Sequence, residues 1–174
     1  ARLFNYNSQN KAWNTKPSWE FEHEGFVLSV RFSPDGKNIL TGTIHRKARL
    51  FTYTSEEEAW HQEPSWEFDH GESVRSVHFS PDSQSILTGS ADKKVRLFTY
   101  NPQKKTWNTK PSWEFEYGDS VWSAHFSPDG KSILTGSGGS AAGLFTLDHF
   151  FVQNPKEVML IHSGKVYPKK DLPE

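Results

Sequence analysis

The 174-residue sequence has no cysteine, which rules out disulfides, thiolate metal sites and a cysteine nucleophile. It has no surplus of charge either. Its 20 Lys and Arg face 21 Asp and Glu, for a net charge of −1, so neither nucleic acid nor an anionic membrane is favoured as the main partner. No apolar run is long enough to cross a bilayer, and no signal peptide is visible. A cytoplasmic or nuclear location is the expectation. The sequence contains no Gly-x-Ser-x-Gly, phosphate loop or dinucleotide fingerprint, so no catalytic residue is assigned. Its eight histidines show no His-x-His or His-x-x-x-His spacing, so no metal and no cofactor are expected. The size suits one domain.

What the sequence has is repetition. Phe32-Ser33-Pro34-Asp35 recurs as Phe79-Ser80-Pro81-Asp82 and as Phe126-Ser127-Pro128-Asp129, a period of 47 residues without a gap. Leu3-Phe4 returns as Leu50-Phe51, Leu97-Phe98 and Leu144-Phe145. A fixed period in this range marks a repeat architecture. Within one period every signal is strand or turn. Val74 to Phe79 alternates apolar and polar, and Ser80-Pro81-Asp82-Ser83 then breaks it with turn chemistry. Ile86 to Ser90, Val95 to Tyr100 and Ser112 to Glu116 read as three further strands. The pattern predicts an all-β chain of four-stranded antiparallel sheets. Such a sheet cannot bury both faces alone, so it needs neighbours stacked face to face, as in a propeller.

The run His70, then Val74 to Asp82, then Leu87 to Phe98 closely resembles the WD40 repeat. The resemblance covers three periods and part of a fourth, roughly residues 1–147, and implies WD40-like β-propeller blades, about three and a half of them in this chain. The family ends its third strand with Trp-Asp, where this sequence has Phe51-Thr52, Phe98-Thr99 and Phe145-Thr146. The family's structural histidine is matched by His23 and His70 and becomes Tyr117. Its turn aspartate is matched by Asp92, with His45 and Gly139 at the corresponding places. The resemblance implies structural roles for His23, His70, Asp92, Phe51, Phe98 and Phe145.

Taken in order, residues 1–22 read as the third and fourth strands of a blade, with Asn7 to Pro17 as a long connector. Blades follow at 23–69, 70–116 and 117–162, the last with a divergent final strand drawn from Glu157 to His162. Gly138 to Gly143 should soften a hairpin, and the tail from 163 to 174 should run extended over the surface. Three and a half blades leave apolar faces and strand edges open. Either the chain is part of a longer protein, or copies close a ring together as a homo-oligomer.

The functional clue is contrast between copies. The residue before the first-strand valine is Phe26, Ser73 or Ser120, and the residue after it is Leu28, Arg75 or Trp122. The residue before the turn aspartate is Ile44, Ala91 or Gly138. In WD40 proteins these three places face the top of the ring, which implies a protein or peptide partner there and a scaffold rather than an enzyme. Arginine and tryptophan are types that dominate interface energetics. The alternative is that Leu28 and Trp122 simply pack between blades. A second functional reading is a carbohydrate-binding propeller that uses the connector tryptophans, Trp13, Trp60 and Trp107 with Trp19, Trp66 and Trp113, as stacking platforms.

Overall fold

A computed structural model describes residues 1–139, 141–147, 155–162 and 165–168; for the last two segments, and for Ala141 and Leu147, the backbone alone is described. The described residues contain strands and turns and no helix. Four short strands come first: β1 (Arg2–Leu3), β2 (Tyr6–Asn7), β3 (Ala12–Trp13) and β4 (Trp19–Glu20). The first five-stranded sheet comprises β5 (Val27–Phe32), β6 (Asn38–Thr43), β7 (Lys47–Thr54), β8 (Ala59–Trp60) and β9 (Trp66–Asp69). The second repeats it as β10 (Val74–Phe79), β11 (Ser85–Ser90), β12 (Lys94–Asn101), β13 (Thr106–Trp107) and β14 (Trp113–Glu116). The third comprises β15 (Val121–Phe126), β16 (Ser132–Ser137), β17 (Ala141–Leu147), β18 (Pro155–His162) and β19 (Lys165–Pro168), in that order across the sheet.

All pairings are antiparallel. Within a sheet the order is first, second, third strand, with β9 or β14 on the far side of the third. The turn between first and second strand is set by one aspartate. Ser80 Oγ donates to Asp82 Oδ1 at 2.5 Å, and the same oxygen accepts from Gln84 N at 3.0 Å. Asp35 and Asp129 do the same in the other two sheets. The turn needs a left-handed residue, supplied by Gly36 (φ 72°), Ser83 (φ 61°) and Gly130 (φ 70°).

The period-2 alternation of the strands explains the stacking. Ile86 and Leu87 are neighbours, yet Ile86 joins the apolar cluster shared with the first sheet and Leu87 the cluster shared with the third. Phe21, just after β4, and Phe68 and Phe115, in β9 and β14, lie 4.8, 4.7 and 5.0 Å from Phe51, Phe98 and Phe145 in the next unit. Burying one such ring contributes about 2–3 kcal/mol. The inner strands β5, β10 and β15 lie side by side and are stitched across the sheets: Val77 N–H donates to Ser29 Oγ at 3.3 Å and Ala124 N–H to Ser76 Oγ at 3.1 Å. A Cβ on Gly89 would sit 2.8 Å from Val121 Cγ1, so the glycine lets the next inner strand approach.

Three local expectations change. The long connector is a hairpin: Tyr6 pairs with Trp13, Tyr53 with Trp60 and Tyr100 with Trp107, each pair in ring contact at 5.5 Å. Asn7 Oδ1 accepts from Gln9 N at 2.9 Å in the first of these, an Asx turn that folds the chain back. The glycine-rich hairpin of the third sheet keeps the pairing of the others, with Gly136 opposite Ala142 as Gly42 is opposite Ala48; Ser140 at its tip lies outside the described residues. The start of the tail is not simply extended, since Lys165–Pro168 adds β19 to the edge of β18.

Candidate functional site

Each five-stranded sheet carries the same irregularity between its first and second strands. Pairing of the first and second strands jumps between Val27 and Ser29, between Val74 and Ser76, and between Val121 and Ser123. The skipped residues are Leu28, Arg75 and Trp122. A β-bulge leaves its extra residue out of the ladder and re-aims its side chain. The residue after each first-strand valine is thus set apart by the backbone itself, a feature no pattern in the sequence announces.

The other two sets of variable positions gather at the same end. Ile44 N–H donates to Phe26 O at 3.0 Å, Ala91 N–H to Ser73 O at 2.9 Å and Gly138 N–H to Ser120 O at 2.9 Å. Ser120 Oγ also donates to Ala91 O at 3.4 Å, tying the second sheet to the third. Arg75 lies over the Trp122 ring, 3.6 Å from its centroid. The guanidinium is held by a π face rather than a carboxylate, and its Nη1 is buried without a hydrogen-bond partner among the described residues. A Cβ on Gly138 would lie 2.9 Å from Asp119 Oδ2 and 3.2 Å from Trp122 Nε1, so this glycine leaves room for the indole edge. Phe26, Leu28, Ile44 and Trp122 are exposed. The structure therefore brings Arg75, Trp122, Ser120, Ala91 and Gly138 together across two sheets, and joins Phe26 to Ile44 on the first.

Of the residues given structural roles, His70 and the three phenylalanines are buried. His70 donates from Nδ1 to Phe68 O at 2.9 Å and takes the Thr88 hydroxyl at Nε2, 2.8 Å away. Burial, and then the Arg96 charge, push the His70 imidazole down to about 4. His23 repeats the geometry with Phe21 O and Thr41, both at 2.8 Å, and burial lowers it as well. Asp92 does not bond to His70. It accepts from Gly71 N at 2.8 Å and pairs with Arg96 at 2.7 Å. Burial acts to raise the Asp92 carboxyl, but Arg96 and the amides of Gly71 and Lys94 outweigh it and hold the group below its ordinary value. Phe51, Phe98 and Phe145 are fully buried and serve as apolar plugs between sheets.

In the third sheet Tyr117 replaces the histidine, its hydroxyl joins Thr135, and burial pushes it up to about 12. A Cβ on Gly143 would collide with that hydroxyl. Glycine stands there because tyrosine reaches further than histidine; the first two sheets have Arg49 and Arg96 at this place, salt-bridged to Glu67 and Glu114.

The connector tryptophans are packing groups. Trp60 and Trp107 are buried against Phe32 and Phe79, with ring centroids 6.1 and 6.4 Å apart, and Trp19, Trp66 and Trp113 are half-buried. Only Trp13 of the six is exposed, so no row of aromatic platforms forms on the rim. Among the described residues no group of three or more His, Asp or Glu side chains is arranged to hold a metal ion. Nor, among the described residues, is any helix long and apolar enough to cross a membrane.

Stacked antiparallel sheets with an inner strand, an Asp-set turn and, in the first two, a His–Thr pair define a β-propeller repeat protein. The family model for the WD domain, G-beta repeat, matches residues 15–52, 62–99 and 110–141, more than half of the sequence, and the chain belongs to the WD40 family. Among solved structures it is similar to the β-propeller domain of Cps50 (Swd1) from Myceliophteria thermophila, with a TM-score of 0.60 and 15% identity over 89% of this chain. It spans 43% of that chain, and at this identity the likeness concerns the fold. In all, 1180 solved chains match, a breadth that ties the fold to no single partner. No curated protein sequence matches.

Proposed function

We propose that the chain is a protein-interaction scaffold, without catalysis of its own, that binds a peptide or protein partner across the top face. The supporting observation is the bulge at Leu28, Arg75 and Trp122: the same backbone irregularity presents three chemically different side chains in a row. Arg75 on Trp122 offers a cation on an aromatic plate, and Phe26, Leu28 and Ile44 offer an apolar shoulder beside it. Large exposed groups of this type, clustered, are what interfaces use as anchors.

The test is to select peptides from a random library against the folded chain and map the winners by amide shift perturbation. Perturbations centred on Leu28, Arg75, Trp122 and the Trp122 indole are expected. Perturbations confined to Trp19, Trp66 and Trp113 on the rim would overturn the reading. Saturable quenching of tryptophan fluorescence by a simple sugar would do so as well.

A further inference from the structure

A second row of variable residues lies further along the same inner strands. The residue before each Phe-Ser-Pro-Asp is Arg31, His78 or His125. Each is paired across the ladder with a leucine: Arg31 with Leu40, His78 with Leu87 and His125 with Leu134. Opposed residues share a face of their sheet. Leu40 and Leu87 face the following sheet, so all three side chains point the same way around the stack. Because β5, β10 and β15 are adjacent, the three groups form a row on the inner wall. The His78 and His125 rings are 4.9 Å apart in an edge-to-face arrangement. Three residues separate Arg31 from Leu28 on β5, about 10 Å along a strand, so the row is distinct from the top face.

Among the described residues this row has no counter-charge. The chain has six arginines. Arg2, Arg46, Arg49 and Arg96 pair with carboxylates, and Arg75 lies on Trp122. Arg31 donates from Nη1 to Val30 O at 2.8 Å and, among the described residues, has no carboxylate partner. The carboxylates nearest in the chain, Asp35, Asp82 and Asp129, are held by the hydroxyls and amides of their own turns. Burial, then the charges of His125 and Arg31, depress His78; burial, then Arg31, depresses His125. Among the described residues no carboxylate acts on either ring. Phe126 N–H donates to His78 Nδ1 at 3.4 Å, which leaves Nε2 as the donor of the neutral ring.

We propose that Arg31, His78 and His125 form a binding row for a small tetrahedral oxyanion of the phosphate type. The anion would take donors from the Arg31 fork and from the two imidazoles, supplying the negative charge the row lacks. It favours the protonated rings, so binding and histidine protonation strengthen each other and affinity rises as the pH falls.

Sulfate is the probe, because its charge stays constant while histidine titrates. The ring signals of His78 and His125 are followed by NMR from about pH 8 to about pH 5, in sodium sulfate or in sodium chloride at matched ionic strength. Sulfate should raise the titration midpoint of both rings. Sulfate affinity should rise about tenfold for each unit by which the midpoint moves. Arg31→Gln, at an exposed position, should keep the β circular dichroism spectrum and lose the sulfate response, and His125→Gln should weaken it. Identical titration of His78 and His125 in the two salts would overturn the proposal. So would an Arg31→Gln variant that responds to sulfate as the parent does.

Discussion

The face that the second sheet turns to the first and the face that the first sheet turns outward are built from the same residues, 47 positions apart. Val77 and Phe79 are 0% and 3% exposed, while their counterparts Val30 and Phe32 are 46% and 54% exposed. At the other end Leu87 is fully buried and Leu134 is 50% exposed. Strand, register and turn are alike in each case. The difference is whether a complete neighbouring sheet lies against the face. Beside β5 the preceding unit offers only β1 to β4, and Ala1, Leu3, Phe21, Val30, Phe32 and Ile39 line a cavity of about 500 Å³ there. Burial in this architecture is a property of stacking, and a sequence position alone does not determine it.

That contrast can be broken by paired substitutions. Phe79→Ala should cost about 3–5 kcal/mol, the usual loss for a buried phenylalanine, whereas Phe32→Ala should cost under about 1 kcal/mol. Urea midpoints on both variants measure the gap; equal losses would mean that the outward face is packed after all.

The next largest effect is acid sensitivity. His70 has a folded value of about 4 against an ordinary 6.5. Between those values the unfolded chain binds the extra proton, so stability is complete above about pH 6.5 and falls towards about pH 4. The loss attributable to His70 is about 3 kcal/mol. His70→Gln should flatten the series of urea midpoints against pH more than His23→Gln does, because His23 is only half-buried. A slope that survives His70→Gln would assign it to another group.

A smaller effect separates the third sheet from the first two. Gly143→Ala should destabilise by about 1–3 kcal/mol through its collision with the Tyr117 hydroxyl. In a Tyr117→His background the same change should cost less than half as much, a coupling read by a double-mutant cycle. Additive costs would show that the glycine answers to something else. The smallest change in urea midpoint is expected at Arg75→Ala, under about 1 kcal/mol, because it loses no carboxylate partner and only its stack on exposed Trp122.

Much of this was legible in the sequence. The repeat, the all-β organisation and the aspartate turns follow from spacing and residue type, since Phe-Ser-Pro-Asp states its own turn chemistry. The three variable positions could be named, because they differ where the framework does not. Their geometry could not. A bulge at Leu28, Arg75 and Trp122 has no signature in residue type, and the Arg75–Trp122 stack joins two sheets whose angle no local pattern encodes. The hairpins at Tyr53–Trp60 and Tyr100–Trp107 were hidden because their few paired residues carry no alternation. The exchange of histidine for Tyr117 was visible in the sequence. Its link to Gly143 was not, because 26 residues separate the two and only the fold brings them into contact.

The most direct test of the functional account is Trp122→Ala, with stability and affinity for a selected peptide measured on the same preparation. The account predicts stability within about 1 kcal/mol of the parent and an affinity at least about tenfold weaker. Unchanged affinity with a stability loss of several kcal/mol would make the indole a packing group between sheets and contradict the account.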